Sequence, residues 1–202
     1  YIGGNEQPTG DYEGRAGKFE MSGGHLIVNG NGAIEGGEIS VSGGVIDVNK
    51  NAKLRTISKV EYDKTETEDE NREPVKEYIS VIDLKDKGAI NLSSTLESDV
   101  LGNGTINIKD SAAVISGNID GSNLNFETDH SLSKVVTGTV GDLASLNVNK
   151  GTFKIDKKTG TIGSLNVAEN AVLNADGAYS YKESEEEDGV LYVGNLTVDK
   201  NG

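Results

Sequence analysis

The 202-residue sequence has no cysteine, which excludes disulfide bonds and thiolate metal sites. It has only 2 prolines and 5 % aromatic residues against 27 glycines. That composition supplies few large side chains for a globular core, but it suits short strands that each bury a narrow stripe of Val, Ile and Leu. No run approaches the ~18 consecutive apolar residues of a membrane helix, so we expect no direct membrane insertion of this segment.

Basic residues are also scarce. Lys and Arg number 19 against 33 Asp and Glu, which gives a net charge of −14, and the arginines are Arg15, Arg55 and Arg72. Such a field repels phosphate backbones and anionic membrane surfaces, so we expect no nucleic-acid partner. The lack of cysteine is also typical of secreted bacterial proteins that cross an envelope unfolded.

A nine-residue pattern recurs along the chain, most cleanly at 165–173. Its first, third and ninth places are apolar, its second is polar and its seventh is small. Period-two alternation indicates strands, and recurrence at about 20 residues indicates a solenoid. The pattern is assigned to eight starting positions: Leu26, Ile46, Ile82, Ile106, Leu124, Leu146, Leu165 and Leu196.

The corner between strands is predicted from the sixth and seventh places. Asn occupies the sixth place at Asn31, Asn51, Asn170 and Asn201. Because Asn tolerates left-handed backbone angles, we predict that it turns the corner at positive φ. The seventh place is small except at His130, which we interpret as a surface residue in a misfit corner.

Two acidic stretches interrupt the regular spacing. Residues 61–77 carry eight acidic and three basic residues, and residues 178–189 carry five acidic and one basic. Removing either stretch restores a spacing of about 20 residues, so both are predicted to be insertions that loop out of a regular coil. Residues 1–18 are a turn-rich lead-in, and the solenoid is predicted over 19–202.

These columns predict an all-β, single-chain parallel β-helix with about eight coils of about 20 residues. Equivalent residues at full-coil spacing require successive coils to stack in parallel at ~4.8 Å. The coil is predicted to be right-handed, as parallel crossovers almost always are. The last copy stops at Gly202, before its ninth place, and neither end resembles a polar cap, so we expect a segment of a longer solenoid.

The units 140–148, 161–167 and 193–198 share a Gly-x-Leu-x-Val texture with Asn-rich corners. In this the chain resembles the pertactin-like passenger domains of autotransporters, the type V secreted surface proteins of Gram-negative bacteria, and also the haemagglutinin repeats of two-partner secreted proteins. The resemblance implies a monomeric stalk at the bacterial cell surface, attached to the outer membrane by a separate barrel, that serves adhesion and virulence.

The alternative is a carbohydrate-active β-helix, a polysaccharide lyase or hydrolase with a groove on one sheet. Such enzymes need paired carboxylates, and the alignment makes Asp47 and Asp83 neighbours once 61–77 loops out. We interpret this pair as solvated surface residues, and His25 likewise lacks a catalytic or metal-ligand partner. The sequence therefore predicts no catalytic residue, no cofactor and no metal site. The acidic run 183–188 lacks calcium-motif spacing and is interpreted as a self-repelling loop.

Recognition is therefore assigned to the insertions. Tyrosines at a loop base can anchor a partner or pack the loop onto the coil. The partner is predicted to be a host or bacterial surface protein or glycan; a mechanical spacer with no ligand is the third hypothesis. The candidate contacts are Tyr62, Tyr78, Tyr179, Tyr181 and Asp188.

Overall fold

The chain folds as an all-β solenoid whose strands stack in parallel, which confirms the predicted fold class and the coil spacing of about 20 residues. The solenoid makes about seven turns, and eight strands follow one another in its longest stack. The only helix among the described residues is a four-residue turn. The structure is a computed structural model that describes residues 18–56, 59–62, 74–78, 81–175, 179–182, 185–188 and 191–199.

The elements are short because each side of a coil holds only a few residues before the chain turns. In chain order they are β1 (Lys18–Val28), β2 (Ala33–Gly36), β3 (Glu38–Val48), β4 (Lys53–Thr56), β5 (Lys59–Tyr62), β6 (Pro74–Tyr78), β7 (Val81–Leu92), β8 (Thr95–Glu97), β9 (Asp99–Leu101), β10 (Thr105–Ile108), β11 (Val114–Ile115), β12 (Ile119–Asp120), β13 (Asn123–Phe126), β14 (His130–Ser131), α1 (Leu132–Val135), β15 (Leu143–Val148), β16 (Thr152–Lys154), β17 (Lys158–Thr159), β18 (Ile162–Val167), β19 (Val172–Asn174), β20 (Tyr179–Lys182), β21 (Glu185–Asp188) and β22 (Val193–Val198).

One side of the solenoid, which we call the ladder sheet, is built by the order β1-β3-β7-β10-β13-β15-β18-β22. All of these neighbours pair in parallel. The first-place residues align from strand to strand and point inward, where they are buried from Ile46 to Leu165. They are Leu26, Ile46, Ile90, Ile106, Leu124, Leu146, Leu165 and Leu196.

A second side, the hairpin sheet, precedes the ladder sheet in every coil. Its members are the first halves of β1, β3 and β7, followed by β9, β12, the bridge residue Val140, β17 and β20. Glycine corners separate the two halves of the long strands, and Gly24 and Gly44 adopt φ of 85° and 87° there. The third side is formed by β2, β4, β8 and β11, and then by β14, β16 and β19.

The core is a single apolar column running inside the three sides. Phe126 and Phe153 stack within it, with ring centroids 3.8 Å apart. Full burial of each Leu or Ile side chain stabilises the fold by about 1.5–3 kcal/mol. The core therefore follows from alternation along each strand, because one residue in two faces inward.

One predicted starting position is wrong. Ile82 does not align with Ile46; it pairs with Ile39 in the hairpin sheet, and Ile90 takes the place beside Ile46. The coil contains two apolar–polar–apolar units, at 82–84 and 90–92. When residues 61–77 are left out of the count, the first unit follows Ile46 by about 20 residues, which is the spacing of a full coil. The predicted ninth-place role of Ile90 is wrong for the same reason, and Leu96 pairs with Leu54 instead.

The predicted left-handed corner is confirmed at Asn51 and Asn170. Asn51 and Asn170 have φ of 64° and 63°. In the first copy the left-handed residue is Gly30 rather than Asn31, with φ 58°. Gly151 occupies the sixth place of its own copy and also has positive φ, at 78°. The corner thus requires the conformation, and either Asn or Gly can supply it.

The predicted insertions contain antiparallel strand pairs. In the first, β5 pairs with β6. In the second, β20 pairs with β21, while Tyr179 and Ser180 of β20 also continue the hairpin sheet beside Lys158 and Thr159. The lead-in predicted over 1–18 lies outside the described residues except for Lys18, which begins β1.

Candidate functional site: an asparagine ladder and two hairpins

The first hairpin carries two of the candidate contact residues. The backbone of Tyr62 lies opposite Pro74, and that of Tyr78 lies opposite Lys59. The two tyrosines are therefore three residues apart along β5, one towards each end of the strand pair. Their side chains are outside the described part of the structure, so their role in binding stays a prediction.

The second hairpin carries the other three candidates. The backbone of Tyr179 pairs with Asp188, and that of Tyr181 with Glu186. Period-two spacing places Tyr179 and Tyr181 on the same face of β20, with Asp188 directly across from Tyr179. The side chains of this hairpin are also undescribed, and partner contact by these residues stays a prediction.

Both hairpins adjoin the hairpin sheet. The first joins β4 to β7, and the second begins with β20, the last strand of that sheet. Five steps separate β7 from β20 along the stack, through β9, β12, Val140 and β17. At ~4.8 Å per step the two attachment points are about 24 Å apart on one side of the rod.

The carboxylate pair on which the enzyme alternative depends is not formed. Asp47 lies beside Asn91 in the ladder sheet, whereas Asp83 lies beside Ser40 in the hairpin sheet. Asp83 forms an ion pair with Lys85, at 3.0 Å. The expected neighbourhood of Asp47 and Asp83 is wrong because it followed from aligning Ile82 with Ile46.

The second-place residues form a continuous ladder of side-chain hydrogen bonds on the outer face of the ladder sheet. Each asparagine donates from Nδ2 to the residue on the preceding coil, and the chain of bonds ends on a carboxylate oxygen of Asp47. The bonds run from Asn166 to Asn147 (2.6 Å), Asn147 to Asn125 (2.7 Å), Asn125 to Asn107 (2.7 Å), Asn107 to Asn91 (2.8 Å) and Asn91 to Asp47 (2.6 Å).

The ladder has a direction. Every amide dipole points the same way, towards Asp47, whose negative charge favours the hydrogens directed at it. The other carboxylate oxygen of Asp47 bonds the His25 ring at 2.6 Å, so His25 has a partner after all. All the asparagines of the ladder are half-buried. The ladder has a signal in the sequence, because four successive copies of the repeat carry Asn in the second place.

His130 is a structural member of its corner. Its Nδ1 accepts a hydrogen bond from the Ser131 backbone N–H at 2.9 Å, and its Nε2 lies 3.1 Å from the Ala113 carbonyl oxygen. Both contacts are satisfied at once by the neutral tautomer with the proton on Nε2. The ring is half-buried and bridges two coils, so it is more than the surface residue that the sequence indicated.

Among the residues that the structure describes, two carboxylates have displaced pKa values, and both accept hydrogen bonds from backbone N–H groups. The Ala112 N–H and Lys50 lower the pKa of the Asp110 carboxyl. For Asp156, partial burial raises the pKa, but hydrogen bonds from the Ser133 N–H and hydroxyl outweigh it and the net pKa is lowered. Both carboxylates are therefore held ionised, which is the opposite of a general acid.

Lys157, next to Asp156, also belongs to the framework. Its ammonium group donates to the carbonyl oxygens of Val136, at 2.7 Å, and of Gly138. Desolvation lowers its pKa, and the charge of Asp156 partly opposes that shift. The side chain ties the irregular coil around α1 to the coil that follows it.

Within the described ranges, no group of three or more His, Asp or Glu side chains is arranged to hold a metal ion. The acidic run 183–188 lies only partly in those ranges, and its interpretation stays a prediction. No helix in the described part of the chain is long and apolar enough to span a membrane.

Comparison of the chain with protein-family models, with curated proteins and with solved structures gave no match.

Proposed function

We propose that this chain is a stalk segment of a bacterial cell-surface adhesin of the autotransporter class. The rod holds a binding region away from the outer membrane, and the two acidic hairpins make contact with a host or bacterial surface protein or glycan. The segment acts without catalysis, as a monomer. A family resemblance in the repeat texture supports the class, and the observation that carries the proposal is the unbroken stack of the ladder sheet.

The stack suits a mechanical role because two sets of hydrogen bonds, one between backbones and one between side chains, join the successive strands, or rungs, of the ladder sheet. Backbone hydrogen bonds join every pair of neighbouring strands, and the asparagine ladder adds side-chain bonds over five successive steps. A load along the rod is then shared by many parallel hydrogen bonds. Each contributes only about 0.5–1.5 kcal/mol net, but the bonds that join two neighbouring coils must break together before those coils separate.

The hairpins are suited to recognition because they are the irregular parts of a regular scaffold. Binding residues are found disproportionately on loops that a rigid framework positions. Residues 61–77 and 178–189 carry charges of −5 and −4, which is −9 of the −14 of the whole chain. A partner with a basic surface would be attracted to the side of the rod from which both hairpins leave.

A binding screen tests the assignment to the hairpins. The intact chain is compared with one in which 61–77 is replaced by a short Gly-Ser turn, and with one in which 181–188 is replaced likewise. The second replacement keeps Tyr179 and Ser180, which pair with the rod. Against host surface proteins and glycans, we expect at least a tenfold loss of affinity in one or both variants.

A matched control separates loss of contact from loss of fold. Circular dichroism and the thermal midpoint of the variants must stay close to those of the intact chain. Unchanged binding in both folded variants would remove the hairpins from the proposal. Exposure at the cell surface is tested separately: antibodies against the rod should label intact producing cells, and labelling only after permeabilisation would contradict the stalk location.

A further inference from the structure

The outer face of the ladder sheet is uncharged over five consecutive rungs, from β7 to β18, although the chain as a whole carries −14. Two outward columns run side by side there, two residues apart along each strand. Every residue in them is half-buried. We call this surface the amide face; its columns are Asn91, Asn107, Asn125, Asn147 and Asn166, and Ala89, Thr105, Asn123, Ser145 and Ser164.

Charged residues border both edges of these columns. Lys87 of β7 precedes Ala89 on one edge, and on the other edge the next outward column carries one cation and one anion that neutralise each other. Lys109 and Glu127 form an ion pair at 2.5 Å. The same column is otherwise uncharged across these rungs, with Ser93, Asn149 and Ala168. The surface is therefore uncharged over about five rungs, with a compensated pair of charges on one edge and one lysine on the other, and these charges neither attract nor repel an uncharged ligand.

The ladder leaves a regular array of unused hydrogen-bonding groups on the amide face. An asparagine amide has two donor hydrogens and two acceptor lone pairs. Among the described residues, the ladder uses one donor and one acceptor of Asn107 and of Asn125. Each of them therefore keeps one N–H and one lone pair for solvent or a ligand, and the ladder bonds fix the amide planes so that little side-chain entropy is lost on binding.

We propose that the amide face binds an uncharged, linear, β-linked polysaccharide that lies along the stack. Its hydroxyl groups are donors and acceptors at once, which matches the paired N–H and lone pair of each rung. The length of one sugar unit is close to the rung spacing of about 4.8 Å, so an extended chain stays near register with the rungs over several units. Because neighbouring units of a β-1,4-linked chain face opposite ways, every second unit meets equivalent groups. This site is separate from the hairpins and stands whether or not they bind a partner.

A second copy of the chain fits the amide face less well. Five rungs and two columns cover about 340 Å², so a pair of faces would bury about 700 Å². Stable protein interfaces usually bury at least ~1,200 Å². Two molecules of charge −14 would also repel each other.

The direct test is a titration followed by the side-chain amide signals of asparagine in ¹H–¹⁵N spectra. The probes are cellohexaose, xylohexaose and mannohexaose, with cellobiose as a short ligand and hexagalacturonate as a charged one. We expect at least one neutral hexasaccharide to shift the signals of Asn107, Asn125 and Asn147. Cellobiose should bind at least tenfold more weakly than cellohexaose because it spans fewer rungs.

Variants then place the ligand on the face. The double substitution T105E/S164E adds charge and bulk beside the ladder without removing any of its bonds, and should weaken hexasaccharide binding at least tenfold. T152E/S111E makes the same changes at exposed positions of the third side and its corner, and should leave binding within twofold. Thermal midpoints check that both variants fold.

Three results would overturn the inference. One is the absence of any shift with the neutral hexasaccharides at millimolar concentration. Another is binding of hexagalacturonate as tight as that of the neutral probes. The third is a dimer in sedimentation analysis that T105E/S164E abolishes, which would assign the face to a second copy. A variant in which 61–77 and 181–188 are both replaced by Gly-Ser turns should still bind the hexasaccharide. This test and the test of the hairpins can therefore fail independently.

Discussion

Gly23 and Gly44 show what the corner between two sides of the rod demands of a single residue. Gly44 has φ of 87°, and a Cβ there would lie 2.6 Å from the Gly24 carbonyl oxygen and 2.7 Å from Cε of Met21. Gly23 lies in the equivalent corner of the preceding coil, and a Cβ there meets nothing within 4 Å. We expect Gly44→Ala to lower the free energy of unfolding by about 2–3 kcal/mol, through strain and contact.

The matched change Gly23→Ala should be neutral or stabilise by up to about 1 kcal/mol, because it only restricts the unfolded chain. Urea unfolding of both variants measures the difference. Equal stability of the two variants would contradict the role assigned to the Gly44 corner.

A single carboxylate, that of Asp156, makes the stability of the rod depend on pH. Its pKa is lowered from 3.8 in the folded chain, so the folded state binds fewer protons. The stabilisation is therefore present above the unfolded pKa and is lost as pH falls through the folded one. We expect Asp156→Asn to cost about 1 kcal/mol at pH 7, after allowance for solvent screening.

The difference between wild type and Asp156→Asn should shrink steadily below pH ~4. Asp86→Asn, at an exposed position of β7, serves as the control and should change stability little. Chemical unfolding between pH 7 and pH 2.5 gives the comparison. A difference that stays constant across this range would show that the Asp156 carboxylate does not stabilise the fold through its charge.

At the scale of the elements, the asparagine ladder links strands that are distant in sequence. Substitutions in its interior should lower stability more than substitutions at its end. Asn125 donates to Asn107 and accepts from Asn147, so its removal takes the donor from Asn107 Oδ1 and leaves Asn147 Nδ2 with only its longer bond to Ser145 Oγ, at 3.1 Å. Asn166 donates only to Asn147 among the described residues. We expect Asn125→Ala to cost about 2 kcal/mol and Asn166→Ala about 1 kcal/mol.

Asn149 lies outside the strands on an exposed position, and Asn149→Ala should cost less than about 0.5 kcal/mol. Thermal and urea unfolding of the three variants provide the measurement. If Asn125→Ala and Asn149→Ala were equally stable, the ladder would contribute nothing beyond the backbone pairing.

The sheet architecture could be predicted because inward residues alternate along a strand and recur once per coil. Register could not be read from that alternation alone, as Ile82 and Ile90 show: both begin an apolar–polar–apolar unit. A glycine two places before the inward residue distinguishes the two units. Gly88 precedes Ile90, as Gly44 precedes Ile46, because a Cβ at Gly88 would lie 2.3 Å from the Val41 carbonyl oxygen. Two places before Ile82 the sequence has Ser80 rather than a glycine.

The candidate site was harder to predict than the fold. Repeated asparagines were visible in the second place, but their bonding depends on side-chain distances that only the stacked strands define. The Asp47 end of the ladder was hidden because the wrong register gave it Asp83 instead of Asn91. Recognition by the hairpin tyrosines depends on a partner surface, which no property of the chain alone specifies.

For the whole molecule, the solenoid is a one-dimensional stack in which each rung is held by its neighbours, so stability should vary with position along the rod. Leu146 and Leu196 occupy the same inward column. Leu146 is fully buried between Leu124 and Leu165, whereas Leu196 is 63 % exposed because β22 pairs only with β18 in the described structure. The same Leu→Ala change therefore removes very different contacts at the two sites.

We expect Leu146→Ala to cost about 3 kcal/mol, within the usual range for a buried leucine, and Leu196→Ala less than about 1 kcal/mol. Hydrogen exchange should agree, with amides of β13 and β15 protected far more strongly than those of β22. Because rungs open from the ends, Leu196→Ala should speed exchange in β22 alone, while Leu146→Ala should speed it on both sides of the substitution. Uniform exchange along the rod would mean that the solenoid unfolds as one cooperative unit, and the nearest-neighbour description would then fail.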